Sequence, residues 1–134
     1  MYIIPVRRGL MDREALDWLR AVLAAGDQVL IFPEGTRSRD GEIHEAKAGF
    51  GKLVYEAGVP IVPVRISGSY RSFPPGALWP RPYPVRVSFG EPIDFRKDKN
   101  IPRPENLRDV YEYIGQKVMD RIRALDGSDG GAGK

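Results

Sequence analysis

The chain has 134 residues, 42% hydrophobic and 29% charged, the composition of one globular domain with a core rather than of a disordered or fibrous chain. Its formal charge of +3 is a mild bias that suits an anionic ligand or an anionic membrane surface and does not by itself imply nucleic acid. The absence of cysteine excludes disulfides and thiolate chemistry, the single histidine excludes a histidine-rich metal site, and no run approaches the roughly 18 apolar residues of a membrane span.

Tyr2-Ile3-Ile4-Pro5-Val6 reads as a strand, with Pro5 placing it at a sheet edge or a strand end. It is too short for the apolar region of a signal peptide, and Arg7-Arg8 follow it rather than precede it. Asp12 suits an N-cap, and the helix after it is predicted to run to about Ala25. Ala15, Leu16, Leu19, Val22 and Leu23 share one face of that helix, and Gly26 is a stop signal. Val29-Leu30-Ile31-Phe32 is four apolar residues in a row, a pattern that suits a strand covered on both faces. Pro33 cannot donate to a ladder and ends it. Strand, helix, strand predicts a right-handed βαβ crossover with parallel strands.

A second helix is predicted over about Ala46 to Ala57, with Phe50, Leu53, Val54 and Ala57 on its apolar face and Gly58 closing it. Gly49 and Gly51 inside it cost about 1 kcal/mol each against alanine and are read as allowing close packing on the sheet. Ile61 to Ile66 reads as a third, buried parallel strand. Ser67 to Pro84 holds five prolines among Phe73, Trp79 and Tyr83 and reads as a long loop. Its aromatics make either a local packing patch or a membrane-surface contact. Val85 to Phe89 alternates as a strand with one solvated side, and Asp98 to Pro104 is a polar linker. Glu105 to Leu125 is the last helix, striped by Leu107, Tyr111, Ile114, Val118, Ile122 and Leu125. Gly127 to Lys134 reads as a flexible tail. The expected fold is α/β, a mostly parallel sheet with helices packed against it, in one domain over residues 1–126.

The chemistry concentrates after Phe32, in Pro33-Glu34-Gly35-Thr36-Arg37-Ser38. In open α/β sheets the C-terminal edge of a strand is where ligands bind. Glu34 is an acceptor, Gly35 lets backbone approach a ligand, and Thr36 and Ser38 carry hydroxyls. Arg37 presents a planar fork that matches phosphate or carboxylate. Read without context, the same residues also make an ordinary polar turn with a surface arginine.

The string Phe32-Pro33-Glu34-Gly35-Thr36-Arg37-Ser38 resembles the third motif block of the glycerophospholipid acyltransferases, the lysophosphatidic acid acyltransferase family. Val59-Pro60-Ile61-Val62-Pro63-Val64 resembles the fourth block, and Arg39-Asp40-Gly41 and Lys47-Ala48-Gly49 resemble the pattern between them. Arg8 resembles part of the second block, where Arg7 stands in place of the family's Asp and is left unassigned. The resemblance implies a partial acyltransferase fold and transfer of a fatty acyl group to lysophosphatidic acid in phospholipid biosynthesis. Acyl-CoA or acyl-carrier protein would be the donor, with no metal or bound cofactor. It implies substrate-binding residues Arg8, Glu34, Gly35, Thr36 and Arg37, with Glu34 either touching substrate or supporting a donor. Lys47 reads either as a solvated lysine at a helix start or as added charge near the phosphate.

The family's catalytic signature is a histidine, four residues, then an aspartate. His44 is followed at that spacing by Gly49 and lies after the third block rather than before it, so His44 reads as a loop residue. No catalytic residue is assigned. Three readings of that gap stay open: a truncated gene product, half of a split enzyme, or a degenerate protein that only binds. A non-catalytic module for anionic lipid head groups is the rival function. The expected placement is peripheral, on the cytoplasmic side of a membrane, without nucleic acid as partner.

Overall fold

Four helices and one two-stranded antiparallel sheet make up the computed structural model, which describes residues 13–125. The expected strand Tyr2–Val6, Arg7, Arg8, Asp12 and the tail 127–134 lie outside the described residues. Helix α1, Arg13–Ala24, buries Leu16 and Leu19, two of the face expected from spacing. It ends as its sequence dictates. Gly26 takes φ +86, Gly26 N–H donates to Leu23 O at 3.1 Å, and Asp27 N–H reaches back to Val22 O at 3.2 Å.

Helix α2, Ala48–Ala57, turns Phe50, Gly51 and Val54 inward and closes on Gly58, whose N–H donates to Val54 O. Strand β1, Val64–Ser67, is followed by a single turn, α3, Ser69–Ser72, and then by strand β2, Arg86–Phe89. Helix α4, Leu107–Ala124, is capped by Asn106, whose side chain accepts from Arg108 N–H at 3.2 Å. Among the described residues no helix is long and apolar enough to cross a membrane.

The expectation of a mostly parallel sheet is corrected here. Val64 pairs with Phe89 and Ser67 with Arg86, antiparallel. Parallel neighbours need a crossover, usually a helix long enough to span the sheet. The proline-rich return between Ser67 and Val85 offers only the one turn of α3, so the chain comes back antiparallel. Pairing resumes at Ile61 and Ile93, which exchange two hydrogen bonds of 2.9 and 2.8 Å. Between these contacts Val62 and Pro63 face Gly90, Glu91 and Pro92, so the second strand carries one extra residue. That is a bulge, placed where Pro60 and Pro63 supply no donors.

Val29–Phe32 forms no ladder among the described residues. Ile31 packs on the core, while Leu30 and Phe32 stay 64% and 61% exposed. Four apolar residues establish which side chains want cover. They do not identify a hydrogen-bonding partner.

The core is a helix-on-helix contact, and the sheet lies at its edge. Phe50 and Val54 of α2 pack with Val110, Ile114 and Val118 of α4 and with Phe95. Each contributes roughly 1.5–3 kcal/mol by leaving water. The inward face of α4 is rotated slightly from the expected stripe: Val110 and Met119 are buried, whereas Leu107 is 44% exposed. Asp98 ties the preceding linker to α4, accepting from Lys117 Nζ at 2.6 Å and from Tyr113 OH at 2.9 Å. The Lys117 bond holds the Asp98 carboxyl below the usual carboxylate range and raises the Lys117 ammonium in turn.

Gly51 sets the α2–α4 spacing. A methyl there would land on the carbonyl oxygen of Tyr111, so the glycine serves packing against α4 rather than against the sheet. The sign of one substitution tests this. Helix propensity alone makes Gly51→Ala stabilising by about 1 kcal/mol. The packing makes it destabilising, by about 1–3 kcal/mol, read as a lower urea midpoint at unchanged slope. A raised midpoint would contradict the close approach.

Candidate functional site

The turn after Phe32 is built by its own backbone. Gly35 adopts φ +67, and its N–H donates to Phe32 O at 3.0 Å. That conformation strains any residue with a Cβ. Lys47 closes the turn from the other side: its N–H donates to Pro33 O at 2.9 Å, and its stem lies over Gly35, 3.3 Å from where a Cβ would stand. Helix α2 starts at the next residue, so the turn is fastened to the core through α2.

A second fastening crosses the loop. The Glu34 carboxylate accepts from His44 N–H at 2.9 Å. Glu34 thus has a supporting contact inside the protein. Beyond it, Asp40 organises residues 38–44. Its Oδ1 accepts from Ser38 Oγ at 2.9 Å and Glu42 N–H at 3.0 Å, and lies 3.0 Å from His44 Nε2. These bonds, led by the Glu42 amide, hold the Asp40 carboxyl down at about 2. His44 sits in the loop with an exposed side chain. The loop's far end is held by α4: Arg123 donates to Glu45 Oε1 at 2.6 Å and to Asp120 at 3.1 Å.

Among the described residues the loop's unpaired side-chain charges are three cations and the Glu42 carboxylate. Arg37, Arg39 and Lys47 are exposed and make no side-chain hydrogen bond or ion pair among the described residues. The Thr36 hydroxyl makes a long 3.4 Å contact to Arg37 O, so its bonding capacity is largely unspent. Three of the loop's carboxylates, Glu34, Asp40 and Glu45, are occupied by internal donors. A rigid turn offering unpaired guanidinium and ammonium groups can accept an oxyanion. A groove of about 470 Å³ lies alongside, between Lys47 and the Tyr111–Gln116 stretch of α4, within the size range of small-ligand pockets.

The structure brings Glu34, Gly35, Thr36 and Arg37 together, and Arg8 lies outside the described residues. Sequence reading does not single out Arg39, and Lys47 is, as one of its two readings has it, an exposed lysine at a helix start. Its nearness to Gly35 depends on the fold of the intervening loop, which residue spacing does not report.

The turn presents cations on an α/β frame, and comparison with known proteins gives the class. The Acyltransferase family model matches residues 1–67, half of the chain and the whole of this turn. The chain belongs to the acyltransferase family, as the motif blocks indicated. A protein named 1-acyl-sn-glycerol-3-phosphate acyltransferase, from Limnanthes douglasii, is 34% identical over 96 residues, 69% of this chain and 34% of that protein. A "probable 1-acyl-sn-glycerol-3-phosphate acyltransferase" of Mycoplasma pneumoniae is 31% identical over 118 residues, 82% of this chain and 44% of that protein. The crystal structure of the 1-acyl-sn-glycerophosphate (LPA) acyltransferase PlsC from Thermotoga maritima superposes with a TM-score of 0.59 at 30% identity, over 81% of this chain and 46% of that one. The chain therefore spans between a third and a half of the length of these relatives.

The loop geometry predicts a pH response. Because the Asp40 value is depressed from 3.8, its stabilisation of the loop is present above 3.8 and is lost as pH falls through about 2. Carboxyl-carbon NMR should follow Asp40 titrating near 2, and His44→Ala should move it upward. A titration at 3.8 in the unaltered protein would mean that the Ser38–Asp40–His44 arrangement does not form.

Proposed function

We propose that this chain binds the phosphate of lysophosphatidic acid and contributes that binding to acyl transfer in phospholipid biosynthesis. The observation that carries the reading is the Arg37 fork, unpaired among the described residues, on a turn where the Glu34 and Asp40 carboxylates already accept internal hydrogen bonds. Two or more charge-assisted bonds to one dianion are the natural use of such a fork. Lys47 stands beside the turn and adds a second positive charge there. Arg8 is assigned to the same phosphate on the motif resemblance.

In the proposed reaction the acceptor hydroxyl attacks the carbonyl carbon of an acyl thioester, acyl-CoA or acyl-carrier protein. The hydroxyl proton passes to a base, the carbon–sulfur bond breaks, and the thiol leaves with a proton. No metal or resident cofactor is part of the proposal. The chain's one histidine, His44, has Nε2 against Asp40 and lacks an aspartate at the family's spacing. We therefore assign the general base outside these 134 residues. A general base typically supplies 10²- to 10⁴-fold, roughly the difference between turnover and none in an ordinary assay. Because the acceptor is an amphiphile, the proposal includes peripheral placement on a lipid surface, at the cytoplasmic side.

Two measurements test it. The Arg37 side chain makes no hydrogen bond or ion pair among the described residues, so its substitution should leave folding intact. By calorimetry Arg37→Ala should weaken lysophosphatidic acid binding about tenfold or more, and Arg37→Lys by less, since lysine keeps the charge and loses the fork. Equal affinity in all three proteins would remove the phosphate role. Separately, the chain alone should release no thiol from acyl-CoA. Release that depends on lysophosphatidic acid and is abolished by Arg37→Ala would show a base among these residues.

A further inference from the structure

Residues 57–90 differ from the rest of the chain in charge. They contain four arginines, Arg65, Arg71, Arg81 and Arg86, and no aspartate, glutamate or lysine, whereas the whole chain nets only +3. Arg65 turns inward, donating to Arg123 O at 3.1 Å and Leu125 O at 2.7 Å. The other three are exposed. The same stretch carries 10 of the 15 large hydrophobic residues that stand exposed among the described residues. The most exposed of all are adjacent: Leu78 at 89% and Trp79 at 81%.

The loop that presents them is braced. Gly76 takes φ +82, and Ala77 N–H donates to Pro74 O at 3.1 Å, making a tight turn just before Leu78. At the loop's base Arg81 N–H donates to Ser72 O at 2.6 Å, and Ser72 Oγ donates back to Arg81 O at 3.1 Å. Arg71 donates to Tyr83 OH at 2.9 Å and lies over that ring, 5.5 Å from its centre. An aliphatic and an indole side chain are thus held in water on a pinned loop, between Arg71 and Arg81.

We infer that the Leu78–Trp79 loop is a lipid-interface anchor, inserting its two apolar side chains below the head groups of an anionic bilayer while Arg71, Arg81 and Arg86 meet the head groups. Tryptophan favours the membrane–water interface, where its ring is covered and its N–H stays wet. Basic residues next to an inserted apolar element gain from an anionic leaflet. A segment free of carboxylates is charge-complementary to that leaflet and has nothing to offer a basic partner. The braced backbone means that little conformational freedom is lost on insertion. The inference takes the lipid-surface placement of the preceding section and assigns the element that makes it. It requires no acyl transfer.

The test uses the 134-residue chain without acyl donor or acceptor, so its outcome is separate from that of the activity assays. Partition is measured by co-sedimentation with phosphatidylcholine vesicles with and without phosphatidylglycerol. Trp18→Phe leaves Trp79 as the reporter. Binding should favour the anionic vesicles. Trp79 emission should shift blue on binding and be quenched by lipids brominated in their acyl chains. Leu78→Ser with Trp79→Ser should lower the anionic-vesicle partition about tenfold or more, at unchanged circular dichroism, since neither side chain is packed in the fold. Arg81→Glu should lower it as well. Absence of vesicle binding, unaltered partition of the double variant, or a bound state in which Trp79 stays water-like would overturn the inference. So would a concentration-dependent dimer lost in the double variant, which would make a second copy the occupant.

Discussion

The close approach of α2 to α4 at Gly51 is the contact on which the rest of the structure depends. Without a side chain at Gly51, α2 lies directly on the Tyr111 backbone, and Phe50 and Val54 reach Val110, Ile114 and Val118. Helix α2 in turn begins one residue after Lys47, whose N–H pins the Pro33 carbonyl. The position of the turn at Glu34–Arg37 is therefore set by the helix pair. Helix α4 adds a second hold through Arg123, which grips Glu45 at the loop's end. Arg65 from β1 donates to the carbonyls of Arg123 and Leu125 at its end, so sheet, helix and loop meet at one helix terminus.

The electrostatics of the turn follow from how its charges are partnered. Glu34 and Asp40 spend their oxygens on backbone amides and hydroxyls of the same loop, and Glu45 on Arg123. The loop is stiffened by its acids. Among the described residues its unpartnered charges are Arg37, Arg39 and Lys47 against the one carboxylate of Glu42, a net positive set. The phosphate proposed for this turn would meet donors with no internal partner to give up among the described residues. Such pre-organisation is what would separate a binding turn from a merely polar one.

Local signals carried much of this into the sequence. Gly26 and Gly58 mark helix ends because the positive φ of a closing turn strains other residues, and both helices stop there. The seven-residue string Phe32–Ser38 identified the family because it carries chemistry at a fixed spacing. What stayed hidden depended on partners distant in sequence. The apolar runs of Val29–Phe32 and Ile61–Ile66 reported burial preference and were read as parallel strands, yet pairing direction is set by the connection, and the return through Ser67–Pro84 is antiparallel. The glycine at 51 was legible as a packing device but not its partner, which proved to be α4. The Glu34–His44 bond joins residues ten apart around a turn, a contact that periodicity does not report. Arg8 is proposed for the site on the motif resemblance alone and lies outside the residues the structure describes.

The central claim is that an oxyanion binds at the turn held by Gly35 and presented by Arg37. The most direct measurement is a residue-resolved amide NMR titration of the chain with sn-glycerol 3-phosphate, with glycerol as control. The account predicts saturable shifts of the Gly35, Thr36, Arg37 and Lys47 amides with the phosphate compound and none with glycerol. Shifts confined to residues away from this turn, or an equal response to glycerol, would contradict it.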